Sequence, residues 1–511
     1  MNVIVIVTDS LRADHVSCYG NKWIKTPNFE SFSKNSMRVT HAYPEGLATI
    51  PVRTALLTGR YTLPLRGWQG LERGDILLPE LLWGHGVKTA IIADTYHMHK
   101  PGMGFSRGFD QVHWIRGQES DQYKQEGDID NRIDLLDKPH SSDPEHGKRL
   151  QQYFRNISNV DWEDESTHFV ARVYERAVQW LEDESDEDPF FLWIDSFDPH
   201  EPWDPPEPYW SMYDDGSGEK SIVSPIYGKT EGYLSDGELN RVKSLYAGEI
   251  TLVDKWIGKV FDKIRSIGHM SDTMVIWLSD HGEPLGEHGI VMKARPWPYE
   301  ELIRIPLLVH HPDGHMDGKS VKGMVQTVDI MPTVLEFLNI NDKLKAKGEH
   351  LPPIHGLSMG PLLDGEYQTL RKYAVSGYFK KSWSITDGNW KYITYLEEEA
   401  TRYLACDITE HIGKGILDKK SGALSYSLLN ATNGKEMRKS ALIREPELYN
   451  LEKDPGEKIN LLKQPDPLME IGKTLELELR RFMDALIMHE SVNNNPMPYF
   501  DFMGRLTGKN R

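Results

Sequence analysis

The chain has 511 residues, a formal net charge of −18, 39% hydrophobic residues and 27% charged residues. That balance is globular and excludes a disordered or coiled-coil chain, while the acidic excess excludes a general nucleic-acid-binding surface, which needs a basic footprint. Two cysteines, Cys18 and Cys406, rule out a disulfide framework or a cysteine zinc site, and no apolar run reaches the ~18 residues of a membrane span.

Taken in chain order, the first element is the run Val3–Val7, VIVIV, which ends in Thr8 and Asp9. An unbroken β-branched run suits a strand buried on both faces of a sheet. It is too short for a signal sequence and lacks a basic leader, so a cytoplasmic protein is expected, or a periplasmic one if a leader was removed upstream. Thr26-Pro27 and Ile50-Pro51 read as the N-cap and first residue of helices. Residues 119–166 are polar and poor in apolar periodicity. They read as an insertion over one face, either a lid or an oligomer contact, which leaves a homo-oligomer open. Phe169, Val173, Ala177 and Leu181 recur at helical spacing. Phe190–Ile194 (FFLWI) is a second buried strand, ending in Asp195. Leu245–Ile264 is a second helix, closing at Gly268. Thr273–Leu278 and Ile305–Val309 complete the series of strands. Strand and helix alternate, which predicts an α/β fold: a large central, mostly parallel sheet sandwiched by helices over residues 1–365. Beyond Gly365 come short alternating runs at Ala374–Tyr378, Trp383–Thr386 and Trp390–Tyr395, then a long helix around Leu468–Met488. They predict a smaller C-terminal α+β subdomain over 366–511, an antiparallel sheet with a helix.

In open α/β sheets, ligands bind beyond the carboxyl ends of the strands. Asp9, Asp195 and Asp280-His281 all stand at such ends. One acid there is usually a cap or loop residue. Asp9 with Asp280-His281, brought together from two strands, would hold a divalent cation. Thr49-Ile-Pro-Val-Arg53 opens a helix at Pro51, placing Thr49 just before the first turn, where free N–H groups favour an anion. Arg53 stands one turn on and faces the same anion. A hydroxyl, a cation and an arginine at a helix N-terminus suit an activated oxygen nucleophile.

These segments resemble the sulfatase branch of the alkaline phosphatase superfamily. The likeness runs from VIVTDSLRADHVSCYG through KTPNFESF, TIPVRTALLTGRY, LPELLWGHGVKTA, FDPHEPWDPP, TMVIWLSDHGEPLGEHGIVMK, PYEELIRIPLLV and TVDIMPTVLEFL to PELYNLEKDPGEKINL. It implies a sulfatase-like catalytic domain. Asp9, Asp280 and His281 would be metal ligands, and Thr49 the metal-bound nucleophile. Arg53 would stabilise the nucleophile and the transferred group, His200 would contact or protonate the leaving group, and Lys293 would grip a substrate oxygen. His97 falls near a family segment whose lysine is absent here, so it carries over only as a substrate contact.

Two departures redirect the chemistry. Thr49 stands where sulfatases carry the Cys or Ser that becomes formylglycine. Threonine cannot become that aldehyde, so no formylglycine is expected. Ser10 replaces the second aspartate of an oxygen-only calcium site. One imidazole in the set favours Mn²⁺, Zn²⁺ or Fe²⁺ over Ca²⁺ or Mg²⁺. This combination resembles the phosphonate monoester hydrolases and phosphodiesterases of the superfamily. The expectation is a one-metal hydrolase of small anionic phosphodiesters or phosphonate monoesters. A sulfatase acting on sulfate esters is the alternative, and a decayed anion-binding relative the second. Asp195 and His355 would be the candidates for a second metal. Glu283 reads either as a support for the site or as an exposed loop acid. His288 reads as ordering its own loop, and His310-His311 as a solvated turn.

Overall fold

The computed structural model describes all residues except 126–143, 159, 162–163, 185–188, 215, 217–218, 220, 349–353, 397–444, 464–466 and 492–511. An eight-stranded sheet runs in the order Ser320–Gln326, Met37–Tyr43, Ile305–His310, Thr273–Ser279, Asn2–Thr8, Phe190–Ser196, Lys88–Ala93, Gln111–Trp114. Only Ile305–His310 is antiparallel to its neighbours; the other pairings are parallel. The sheet is therefore mostly parallel, as the alternation of strands and helices predicts.

The strand Asn2–Thr8 lies at its middle and is buried throughout. Successive side chains point to opposite faces. Ile4 and Ile6 join one core with the helices Pro144–Asn156, Phe169–Glu184 and Asp236–Ser266. Val3, Val5 and Val7 join the other, with Thr49–Thr58, Leu78–Trp83 and Ile330–Phe337. Two buried faces explain why this strand shows no polar alternation.

The helix Pro144–Asn156 lies inside the segment read as polar and aperiodic. Its Leu150, Tyr153 and Phe154, with Ile157 just beyond, pack into the first core. The apolar face is only these few residues wide, so the surrounding charge hides it in sequence.

A five-stranded sheet holds Ala374–Tyr378, Ser382–Thr386, Trp390–Tyr395 and Glu447–Asn450 in antiparallel pairing. Its remaining strand is Gly46–Leu47, parallel to Ala374–Tyr378. The helix Pro467–Ser491 packs Leu475, Leu479, Met483 and Leu486 against this sheet. The second sheet thus grips the chain two residues before Thr49. Cys18 is buried and free, while Cys406 lies outside the described residues. Among the described residues, no helix is long and apolar enough to cross a membrane.

Candidate active site

Parallel strands deliver their following residues to one edge. Asp9 follows Asn2–Thr8, Asp280 follows Thr273–Ser279, and Asp94 follows Lys88–Ala93, while Asp195 is the last but one of its own strand. The loop starts are stitched together. Asp9 N–H donates to Ser196 O at 3.0 Å, and Asp280 N–H to Thr8 O at 3.2 Å. Ser10 adopts a left-handed φ of 64°. Three hydrogen bonds hold it there: its N–H to Asp280 Oδ1 (2.9 Å), its Oγ to Asp9 Oδ1 (2.8 Å), and the Tyr246 hydroxyl to its carbonyl (2.6 Å). A residue kept in this conformation stores strain that the surroundings must hold.

Asp9, Asp280 and His281 are fully buried, and one ligand atom from each lies within 4.8 Å of the others. His281 donates from Nδ1 to Gly282 O (2.8 Å), which aims the Nε2 lone pair inward, 3.4 Å from Asp280 Oδ2 and 3.8 Å from Asp9 Oδ1. Among the described residues, His281 Nε2 has no hydrogen-bond partner and Asp9 Oδ2 has only its ion pair with Arg53 at 3.0 Å. Burial, and then the charge of Asp280, lifts the Asp9 carboxyl to about 6. Burial lowers His281 to about 3, so the imidazole is neutral. Two repelling carboxylates and an inward lone pair fit a divalent cation, which relieves that repulsion.

Arg53 is wholly buried. Its Nε and Nη2 reach Asp195 at 3.3 and 2.8 Å. Asp195 also accepts from Thr95 Oγ1 (2.5 Å) and Trp193 Nε1 (3.0 Å). The clamp turns Nη1 toward Asp280 Oδ2, Asp9 Oδ2 (3.0 Å) and Thr49 O (3.4 Å). One nitrogen therefore gathers both acids and the Thr49 backbone. Thr49 is buried and is the first residue of its helix, with Ala48 as N-cap. The helix starts two residues before Pro51, so Ile50 is not its cap and Thr49 belongs to the first turn.

Lys293 Nζ donates to Glu201 Oε2 (2.6 Å) and Glu283 Oε2 (2.8 Å). His200 Nδ1 donates to Glu201 O (2.6 Å), and its ring stacks on Phe197 at 3.9 Å. His200 and Lys293 are near enough for their charges to bear on both Asp9 and His281. His97 lies edge-on to Phe197, with Nε2 2.6 Å from Glu119 Oε2. Lys100 Nζ reaches His97 Nδ1 at 2.9 Å. A lysine therefore stands beside His97 although the matching family position lacks one.

Both candidates for a second metal are engaged by other groups. Asp195 is taken by Arg53, and His355 Nδ1 accepts from Tyr61 N–H (3.0 Å). Among the described residues, Asp9, Asp280 and His281 form the one such ligand group. Glu283 is fully buried rather than an exposed loop acid. His288 orders its loop as expected, bonding Glu301 (2.6 Å) and Glu457 O (3.1 Å). His310 is buried, not solvated, and bridges Asn35 O and Met270 O at 2.6 and 2.8 Å. Glu201, Lys100, Glu119 and Tyr227 are missing from the sequence reading. Glu201 adjoins His200 in Asp-Pro-His-Glu-Pro, a signal that was there to be used; Tyr227 sits in a loop with none.

The model of the sulfatase family matches residues 1–340, and that of the N-sulphoglucosamine sulphohydrolase C-terminal region matches residues 286–411. The chain belongs to the sulfatase family and is a hydrolase of the alkaline phosphatase superfamily. It is 25% identical over 406 residues to an arylsulfatase of Clostridium perfringens, covering 73% of this chain and 80% of that one. It is 27% identical over 411 residues to the multifunctional alkaline phosphatase superfamily protein PehA of Trinickia caryophylli, covering 69% and 76%. The fold is similar to the crystal structure of a phosphonate monoester hydrolase from Agrobacterium radiobacter, with a TM-score of 0.65 and 18% identity over 94% of this chain and 96% of that one.

Proposed function

We propose that the chain hydrolyses phosphodiesters or phosphonate monoesters through a covalent ester on Thr49. The observation that carries this reading is a threonine, not a cysteine or serine, as the first helical residue beside the Asp9, Asp280 and His281 group. A divalent cation held by those three residues would supply Lewis acidity, lowering the pKa of the Thr49 hydroxyl and shielding a non-bridging ester oxygen. Mn²⁺, Zn²⁺ or Fe²⁺ suits the imidazole in the set.

Thr49 Oγ attacks phosphorus in line, and the bond to the leaving oxygen breaks. Thr49 loses its proton to solvent before the attack; the His200 Nδ1–H is committed to Glu201 O, so the protonated ring gives its Nε2 proton to the leaving oxygen. Arg53 balances charge on the equatorial oxygens, and Lys293 donates a hydrogen bond to one of them. Water then attacks the Thr49 ester at phosphorus from the vacated side and gives its proton to His200, and Thr49 Oγ departs as the alkoxide that first attacked, which restores both groups. His97, beside Phe197, would contact the substrate.

The arylsulfatase relative favours sulfate esters as the second reading. Formylglycine hydrate expels sulfate through its second hydroxyl, and an unmodified threonine has none. A decayed site fits less well, because every inner position retains its acid, base or cation, buried and bonded. The test is kcat/KM of metal-loaded protein on a bis-aryl phosphate, an aryl phosphonate monoester, an aryl phosphate and an aryl sulfate. One of the first two should exceed the aryl sulfate by at least about tenfold. Fast multiple turnover on the sulfate with poor rates on every phosphorus ester would establish the second reading instead.

A further inference from the structure

Each cationic side chain that the site turns toward an anion already faces a carboxylate. Arg53 lies among Asp195, Asp9 and Asp280. His97 faces Glu119, whose charge also reaches Lys100. Lys293 faces two acids at once, Glu201 and Glu283, at 2.6 and 2.8 Å.

Glu201 stands out among these acids. It is 4% exposed and belongs to no helix or strand. Its Oε2 takes the Lys293 ammonium and lies 3.2 Å from His200 Nδ1. Its Oε1 takes the Tyr227 hydroxyl. Burial favours the neutral acid, but His200 and Lys293 outweigh it and hold the carboxyl at about 2, so Glu201 is ionised. The lysine that would grip a substrate oxygen is thus already paired with an ionised carboxylate.

We propose that Glu201 is a specificity-determining residue that restricts this site to singly charged esters. The proposal rests on the phosphoester reading and deepens it. A phosphodiester or phosphonate monoester brings one negative charge, which the cation and Arg53 can match. A phosphate monoester brings a second, and the Lys293 charge that would receive it is already matched by the Glu201 carboxylate. Like charges a few ångströms apart in a water-poor site repel strongly. Glu201 therefore works by exclusion, while its hydrogen bond keeps Lys293 in place.

The test compares wild type with Glu201→Gln on an aryl phosphate and on the bis-aryl phosphate of the same phenol. Glutamine keeps an acceptor for Lys293 and removes the charge. The ratio of kcat/KM, monoester over diester, should rise by about tenfold or more, even if both rates fall. Tyr227→Phe keeps the Glu201 charge and should leave the ratio at its wild-type value. A residue that merely held Lys293 would lower both substrates alike, so an unmoved ratio in Glu201→Gln overturns the proposal. Should that variant not fold, inhibition of wild type at pH 8 decides. Dimethyl phosphate should bind at least about tenfold tighter than methyl phosphate, and the reverse order overturns the proposal. Wild type that turns over no phosphorus ester refutes the underlying reading. Wild type that turns them over with an unmoved ratio refutes only the role of Glu201.

Discussion

Asp9 and Asp280 meet with His281 at one point that is fully buried from solvent. Removing one of them removes both a ligand and the repulsion that makes a cation welcome. Asp280→Asn should therefore cut bound metal and kcat together, activity by about a hundredfold or more, checked by elemental analysis and rates on the same sample. Beside this point lies an acidic group with a different fate. Asp198 is raised to about 7 by burial and then by the charge of Asp204, and it shares the Gln118 amide with Asp94. The folded state thus holds this proton more tightly than the unfolded chain. The stabilisation is complete below about pH 4 and is lost as pH rises through about 7. Asp198→Asn has no such slope, so its Tm relative to wild type should climb between pH 5 and pH 8, measured by thermal unfolding at both. A constant difference would mean that Asp198 is ionised throughout. Asp9, Asp195 and Asp280 were legible because each ends an apolar run. Glu201 carried a signal beside His200, but its partner Lys293 is placed by the fold, and Lys100 gains meaning only from His97 and Glu119.

The elements that carry these residues are held by close backbone approaches. Gly282 follows His281 directly, its N–H donating to Leu302 O at 2.7 Å. A Cβ there would sit 2.1 Å from Glu301 O, a backbone atom that cannot swing away. Gly282→Ala should therefore shift the Asp280–His281 turn, lowering Tm and weakening metal binding together, read by thermal unfolding with and without added Mn²⁺. Loss of stability with unchanged metal affinity would show that the turn absorbs the clash. The parallel strands were readable because burial on both faces suppresses polar alternation. The two-residue strand Gly46–Leu47 was not readable, because it is too short to show a period and its partner lies more than three hundred residues away, at Gly377–Tyr378. The same holds for Ile305–His310: its apolar run marks a strand, but direction in a sheet leaves no trace in a run of apolar residues.

Across the whole molecule, the two sheets have separate cores. Leu479 of the C-terminal helix is 1% exposed and packs against the second sheet. Leu479→Ala should lower unfolding stability by about 2–5 kcal/mol, measured by denaturant titration, while kcat of the folded fraction stays near wild type. A matching fall in kcat would mean that this sheet sets the Thr49 geometry through Gly46–Leu47. The −18 net charge surrounds a site whose cations are local and paired, so overall charge alone gives no guide to what the site accepts. The central claim is that Thr49 is the nucleophile, and its most direct test is kcat of Thr49→Ala on a bis-aryl phosphate at matched metal content. The account predicts a fall of at least about a thousandfold with metal still bound, and measurable activity in Thr49→Ser. A Thr49→Ala enzyme working near the wild-type rate would show that water attacks the ester directly and would contradict the account.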